Sequence, residues 1–167
     1  RLPAKAPRWE ELSRAQWRDW YECAENEFRK LKNRSESVFL AGFGAGGALA
    51  LRLAEIFGDE IDGVILLEPS LPIHRRIFPK FWRAVELDLY LVDQPILLIY
   101  STQDRVLNLD NSLTIANEIS SPFIREVVLE NSFHGASVDH DAPLLVEESL
   151  AFINEVELKT EKFTFAL

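Results

Sequence analysis

The stretch that decides the fold is Val38-Phe39-Leu40-Ala41-Gly42-Phe43-Gly44-Ala45-Gly46-Gly47-Ala48-Leu49-Ala50-Leu51. Val38 to Ala41 is a short unbroken apolar run, which reads as a strand buried on both faces of a sheet. The glycine-rich segment Gly42 to Gly47 turns that strand into a helix, predicted to reach about Phe57 and to stop at Gly58. A second apolar run, Gly63 to Leu67, follows and ends in Glu68-Pro69. Strand, helix and strand at this spacing make a βαβ unit, hence parallel strands joined by a right-handed crossover.

The same pattern extends in both directions. Upstream, Arg1 to Leu12 carries two prolines and reads as a loop. Ser13 and Gln16 then form an S-x-x-Q capping box ahead of an amphipathic helix with the stripe Trp17, Trp20, Tyr21, Ala24, Phe28 and Leu31. Downstream, Pro72 to Tyr90 is mixed, with a helix expected around Phe81 to Leu89. Pro95 introduces a third strand, Ile96 to Tyr100, with Asp104 just beyond it; Asn111 to Ser120 reads as a helix, and Ile124 to Leu129 as a fourth strand with His134 past its end. Asp141-Ala142-Pro143 opens the last helix, expected to run to about Val156 with Leu145, Leu150 and Ile153 inward. The order predicts a three-layer α/β/α architecture on a mostly parallel sheet, one domain over residues 1–156 with a C-terminal tail over 157–167. Ligands of such sheets gather at the C-terminal strand ends, which here carry Gly44, Glu68, Asp104 and His134.

Composition narrows the function classes. At 167 residues, with 47% hydrophobic and 27% charged, the chain has material for one ordinary globular core. A net charge of −9 argues against a nucleic-acid or anionic-membrane surface. The one basic cluster, His74-Arg75-Arg76 with Lys80 and Arg83, is small and reads as a solvated helix face. A single cysteine, Cys23, excludes an internal disulfide framework, suits a reducing, cytoplasmic compartment, and reads as a buried small hydrophobe. His74, His134 and His140 form no metal-ligand spacing, and no metal is expected. The longest uncharged stretch, Ser37 to Leu51, is too short and glycine-rich for a transmembrane segment. No signal peptide is seen, and the absence of methionine leads us to expect a processed or partial chain.

The glycine run supports two functional patterns. As G-x-G-x-x-G it matches Gly42, Gly44 and Gly47, with Glu68 at the end of the next strand, where a dinucleotide fold places its ribose-binding acid. Against that, the fingerprint normally opens its domain, whereas here a long capped helix precedes it. As G-x-S-x-G it is Gly42-Phe43-Gly44-Ala45-Gly46, a nucleophile elbow with glycine at the serine position. Asp104, in Ser101-Thr102-Gln103-Asp104, and His134, in Asn131-Ser132-Phe133-His134-Gly135, then follow in the chain order nucleophile, acid, histidine.

With those segments in view, and with Arg8 to Leu12, Trp17 to Tyr21, Gly63 to Leu67, Gln94 to Leu98 and Glu147 to Ile153, the chain resembles the bacterial carboxylesterase/monoacylglycerol-lipase branch of the α/β-hydrolase family over most of residues 1–155. The resemblance implies a carboxylic-ester hydrolase acting on a small acyl ester, with Gly44, Asp104 and His134 at the catalytic positions. It implies Ala45, with Gly42 and Gly46 shaping the elbow, as the oxyanion side, and no cofactor. The departures point the other way. Leu2-Pro3-Ala4-Lys5-Ala6 stands where the family has Leu-Pro-Gly-His-Gly, Gly44 replaces the serine, the family's first strands precede Arg1, and the lid shrinks to Leu71–Asp93. Together these imply a weakly active or inactive pseudoenzyme.

Each candidate also has a plainer role. Glycine holds an elbow's backbone at little conformational cost, so Gly44 keeps the turn while deleting the Oγ. Ser70 and Ser101 lie on other strand ends and are poor substitute nucleophiles. Glu68 reads first as a hydrogen-bond acceptor and second as a substitute acid. His74 and His140 are expected to face solvent, and Trp9, Trp17, Trp20 and Trp82 to pack. A non-catalytic acyl-binding or protein-interaction module is the remaining alternative, and a homo-oligomer is left open.

Overall fold

The computed structural model describes residues 16–71, 87–107 and 109–164, with side chains described as far as residue 159. Its elements are α1 (Trp17–Lys32), β1 (Phe39–Phe43), α2 (Ala45–Phe57), β2 (Gly63–Leu67), β3 (Ile96–Ser101), α3 (Asp110–Glu118), β4 (Ile124–Leu129) and α4 (Ala142–Thr164), with short 3-10 turns at Gly58–Glu60, Leu89–Leu91 and Ala136–Val138. The strands lie in the order β1-β2-β3-β4, all parallel. Phe39 pairs with Gly63, Val64 with Ile96, and Ile96 with Ile124; β1 and β2 end together at Phe43 and Leu67, level with Ile99, while β3 and β4 run two residues further to Ser101 and Leu129.

Alternation along the strands builds two cores. Val64, Leu66, Ile96 and Leu98 face α1, α2 and α3 and close on Phe28, Leu51, Ala54 and Ile115. Ile65, Leu67, Leu97 and Ile99 face the other way and close on Phe152 and Val156 of α4. Both sheet faces are therefore covered, which is what continuous apolar strands require. The result is the three-layer α/β/α fold expected from the sequence.

Several local expectations need correcting. The expected box at Ser13 lies outside the described residues; α1 begins after Gln16, whose backbone N–H donates to Asp19 Oδ2 at 2.9 Å. Leu31 ends half exposed and Cys23 is only half buried, because α1 packs on the sheet through Trp17, Tyr21, Ala24 and Phe28. β1 runs on to Phe43 and is not buried on both faces: Ala41 and Phe43 are exposed. It is the edge strand of the described sheet, and α4 lies over β2 and β3.

The largest correction concerns the end of the chain. α4 continues past Val156, where the helix was expected to end, to Thr164. No Gly or Pro follows Pro143, and Lys159 pairs with Glu155 at 2.8 Å one turn back, so nothing stops the helix. Its inward stripe is Leu145, Phe152, Ile153 and Val156, at i, i+7, i+8 and i+11, leaving Leu150 exposed on the outer side. The predicted helix at Phe81–Leu89, the basic cluster, His74, Trp9, Trp82 and the Leu2–Ala6 segment fall wholly or mainly outside the described residues. Among the described residues no helix is long and apolar enough to cross a membrane.

Candidate active site

The site begins with a turn that only glycine permits. A Cβ on Gly42 would stand 2.4 Å from the Gly46 carbonyl oxygen and 2.6 Å from Gly47 Cα, so the strand meets the helix at backbone contact. Gly44 then adopts φ 54°, ψ −121°, a conformation that L side chains rarely adopt. Gly44 N–H donates to Leu67 O at 3.1 Å, while the Gly44 carbonyl accepts from Gly47 N–H and Ser70 N–H, both at 3.0 Å. These bonds tie the elbow to the end of β2. A Cβ built on Gly44 meets nothing within 4 Å, so the turn holds open space where a side chain would stand. Ala45 is the first residue of α2, where backbone N–H groups have no partner within the helix.

Two neighbouring strand ends supply the titratable groups. Asp104, past β3, accepts Val106 N–H at 2.7 Å and Leu107 N–H at 3.0 Å on Oδ1, which fixes its carboxylate plane. Its Oδ2 lies 2.9 Å from His134 Nδ1. The Asp104 side chain is buried, while that of His134 remains one-third exposed. The His134 ring also sits 5.5 Å, centroid to centroid, from Phe43, the residue before Gly44. The structure thus brings the elbow, Asp104 and His134 together at one sheet edge.

The loop that presents His134 is braced by groups whose role the sequence did not reveal. Asp141 accepts Asn131 N–H at 3.0 Å and the Asn131 side-chain amide at 3.2 Å, while its own N–H donates to Ser132 Oγ. Asp139 accepts Phe133 N–H at 2.9 Å, and Ser101 Oγ donates to the Ser132 carbonyl. Asp141 reads in sequence as a helix start, and nothing local marks it as a loop brace; two acids bracketing His140 were the available signal. Ser101 is committed to this loop and buried, in keeping with a poor substitute nucleophile. His140 faces solvent, as expected, and Trp17 and Trp20 pack against α2.

Glu68 corrects the dinucleotide pattern. Its side chain is buried, and Oε2 accepts Gly135 N–H at 2.9 Å and lies 3.8 Å from His134 Nδ1. A ribose-binding acid must face the ligand crevice, whereas this one is turned into the His134 loop. The fingerprint glycines are consumed by the tight elbow, with Gly47 packed against Pro69. Glu68, Asp104 and His134 also form the one group of potential metal ligands among the described residues. Within it, His134 Nδ1 is held by Asp104 Oδ2 and Glu68 Oε2 by Gly135 N–H.

A sequence model of the phospholipase/carboxylesterase family matches residues 10–155. The chain belongs to that family. This α/β-hydrolase is 26% identical to a thermostable monoacylglycerol lipase of Bacillus sp. (strain H-257) over 192 aligned positions, which cover 91% of the chain and 76% of the lipase. Among solved structures it is similar to a chain from the metagenome-derived lipolytic enzymes LipS and LipT, at TM-score 0.82 and 24% identity, covering 93% of this chain and 80% of that one. It is also similar to Est1E from Butyrivibrio proteoclasticus, at TM-score 0.71 and 16% identity, covering 86% and 72%. At such identities the structural likeness carries the fold, and the family match carries esterase/lipase membership.

Proposed function

We propose that this phospholipase/carboxylesterase-family chain receives small carboxylic esters with an acyl chain above Gly44 but turns them over poorly, because Gly44 occupies the nucleophile position. The observation that carries this is an Asp104–His134 pair, Nδ1 to Oδ2 at 2.9 Å, beside an elbow whose residue has no side chain. In a serine esterase the histidine takes the Oγ proton, Oγ attacks the carbonyl, and the acyl-enzyme is then hydrolysed. Here the first step has no attacking oxygen. His134 retains the orientation of a general base, with Nδ1 held by Asp104 and Nε2 left for a proton. The base can therefore act only on water, without the proximity that a fixed Oγ provides. The Ala45 N–H, at the start of α2, is a donor for a developing oxyanion.

The test is ester turnover by the wild-type chain. We expect p-nitrophenyl short-chain esters to be hydrolysed barely above buffer, the small excess to vanish in His134→Ala, and fluorophosphonate probes to leave the protein unlabelled. Covalent labelling of the wild type, or robust turnover that survives His134→Ala, contradicts the proposal.

A further inference from the structure

The residues around His134 include one carboxylate that the triad pattern does not use. Glu68 closes β2 with φ 44°, the one non-glycine residue with positive φ among those described, and its backbone N–H donates to Ile99 O at 2.8 Å. A non-glycine side chain is held in such a conformation at a conformational cost, and such positions concentrate at functional sites. The turn sends the side chain under the His134 loop, where only 3% of the residue is exposed. Oε2 holds Gly135 N–H, but Oε1 is buried with no hydrogen-bond partner. An unpartnered buried oxygen on an acid is costly, and burying it beside a second carboxylate makes it more so.

Geometry accounts for the placement. Among the described residues, the carboxylates within 4 Å of a His134 ring nitrogen are Asp104, at 2.9 Å, and Glu68, at 3.8 Å, and both approach Nδ1. One atom from each of the three residues lies within 4.8 Å of the other two. Resting on the reading of Asp104 and His134 as the acid–base pair of the site, we propose that Glu68 is a second positioning acid for His134, which accepts the Nδ1 proton when Asp104 is removed. The move needed is small, since the difference between the two contacts is under an ångström. Electrostatics favours it. Burial pushes the Glu68 carboxyl up from its ordinary value and the Asp104 charge adds to this, while the Gly135 and Ala136 N–H groups and His134 pull it back. Loss of Asp104 removes that repulsion and leaves Glu68 readier to stand ionised and to accept a hydrogen bond from the ring's Nδ1–H.

The experiment reads the imidazole directly. Nitrogen-15 NMR of the histidine ring, above its titration range and assigned by loss of signal in His134→Ala, reports which nitrogen carries the proton. It needs no ester turnover, so its failure is separable from failure of the proposed function. We expect the Nδ1–H form in the wild type, its retention in Asp104→Ala and in Glu68→Gln, and its loss in the Asp104→Ala/Glu68→Gln double variant. Glu68→Gln retains an oxygen for Gly135 N–H and removes only the charge, so a merely structural role leaves the tautomer of the double variant like that of Asp104→Ala. Equal loss in Asp104→Ala alone and in the double variant overturns the proposal. Because Asp104 also caps Val106 and Leu107, each variant is first checked for a dispersed amide spectrum. If Asp104→Ala lacks one, Asp104→Ser replaces it under the same comparison.

Discussion

Gly42, Gly44 and Gly46 stand two apart in sequence yet face different physical demands. Gly42 has no room for a side chain, Gly44 has the room but a backbone that disfavours one, and Gly46 has room in the first turn of a helix. Gly42→Ala is therefore expected to lower stability by ~2 kcal/mol or more, as overpacking against rigid backbone does. Gly46→Ala should be neutral or gain up to ~1 kcal/mol, since alanine loses less freedom in a helix. Urea denaturation of the two variants checks this, and equal destabilisation contradicts the geometry of the elbow. Gly44→Ser should cost about 1–3 kcal/mol for a side chain at φ 54°. The turn at Gly44 was legible in sequence as a glycine-rich passage from strand to helix, but the run alone fitted two patterns. Glu68 was legible only as a choice between acceptor, ribose ligand and substitute acid, and in the fold it is the acceptor of Gly135 N–H.

At the scale of elements, the site depends on how the loop after β4 and the helix α4 are anchored. Burial works against the charge of Asp141, but the two Asn131 donors and Ser132 outweigh it and hold the carboxyl below the usual carboxylate range. A folded-state value below the unfolded one means stability that is present above the ordinary value near 3.8 and is lost as pH falls through the folded one. Asp141→Asn is expected to lower Tm at neutral pH, with the gap narrowing as the solution is acidified below about 3.8. A gap that stays constant with pH removes the electrostatic account. Phe152 of α4 is fully buried, edge-on to Phe39 at 6.2 Å and stacked on Phe123 at 6.1 Å. Phe152→Ala should cost about 3–5 kcal/mol in denaturant titration, whereas Leu150→Ala, on the exposed side of the same helix, should change little. β1, β2 and β3 were readable from sequence because each is a short apolar run bounded by turn residues, and β4, which carries Arg125 and Glu126, from its β-branched residues after Pro122. The face and end of α4 were not, since Leu145, Leu150, Phe152 and Ile153 offer two overlapping apolar stripes and no stop signal follows them.

For the whole molecule, the parallel sheet brings three widely separated segments to one edge: residues 42–47, 101–107 and 131–141. That convergence is a property of the topology, so triad order in the sequence was a usable guide to geometry. The hydrogen bonds that hold the loops came from residues with no motif and were visible only after folding. The central claim is that the site keeps its base and its turn and that the missing attacking oxygen limits turnover. Gly44→Ser tests it most directly, because the added Cβ meets nothing within 4 Å. Side-by-side assays of the wild type, Gly44→Ser, Gly44→Ser/His134→Ala and buffer, with p-nitrophenyl ester turnover and fluorophosphonate labelling as readouts, are required. Restoring the nucleophile of a serine hydrolase whose base is in place is worth several orders of magnitude, and we expect a rise of at least ~10²-fold. Labelling should appear at residue 44 and both signals should be lost with His134. A folded Gly44→Ser protein that shows neither labelling nor a gain in turnover contradicts the claim.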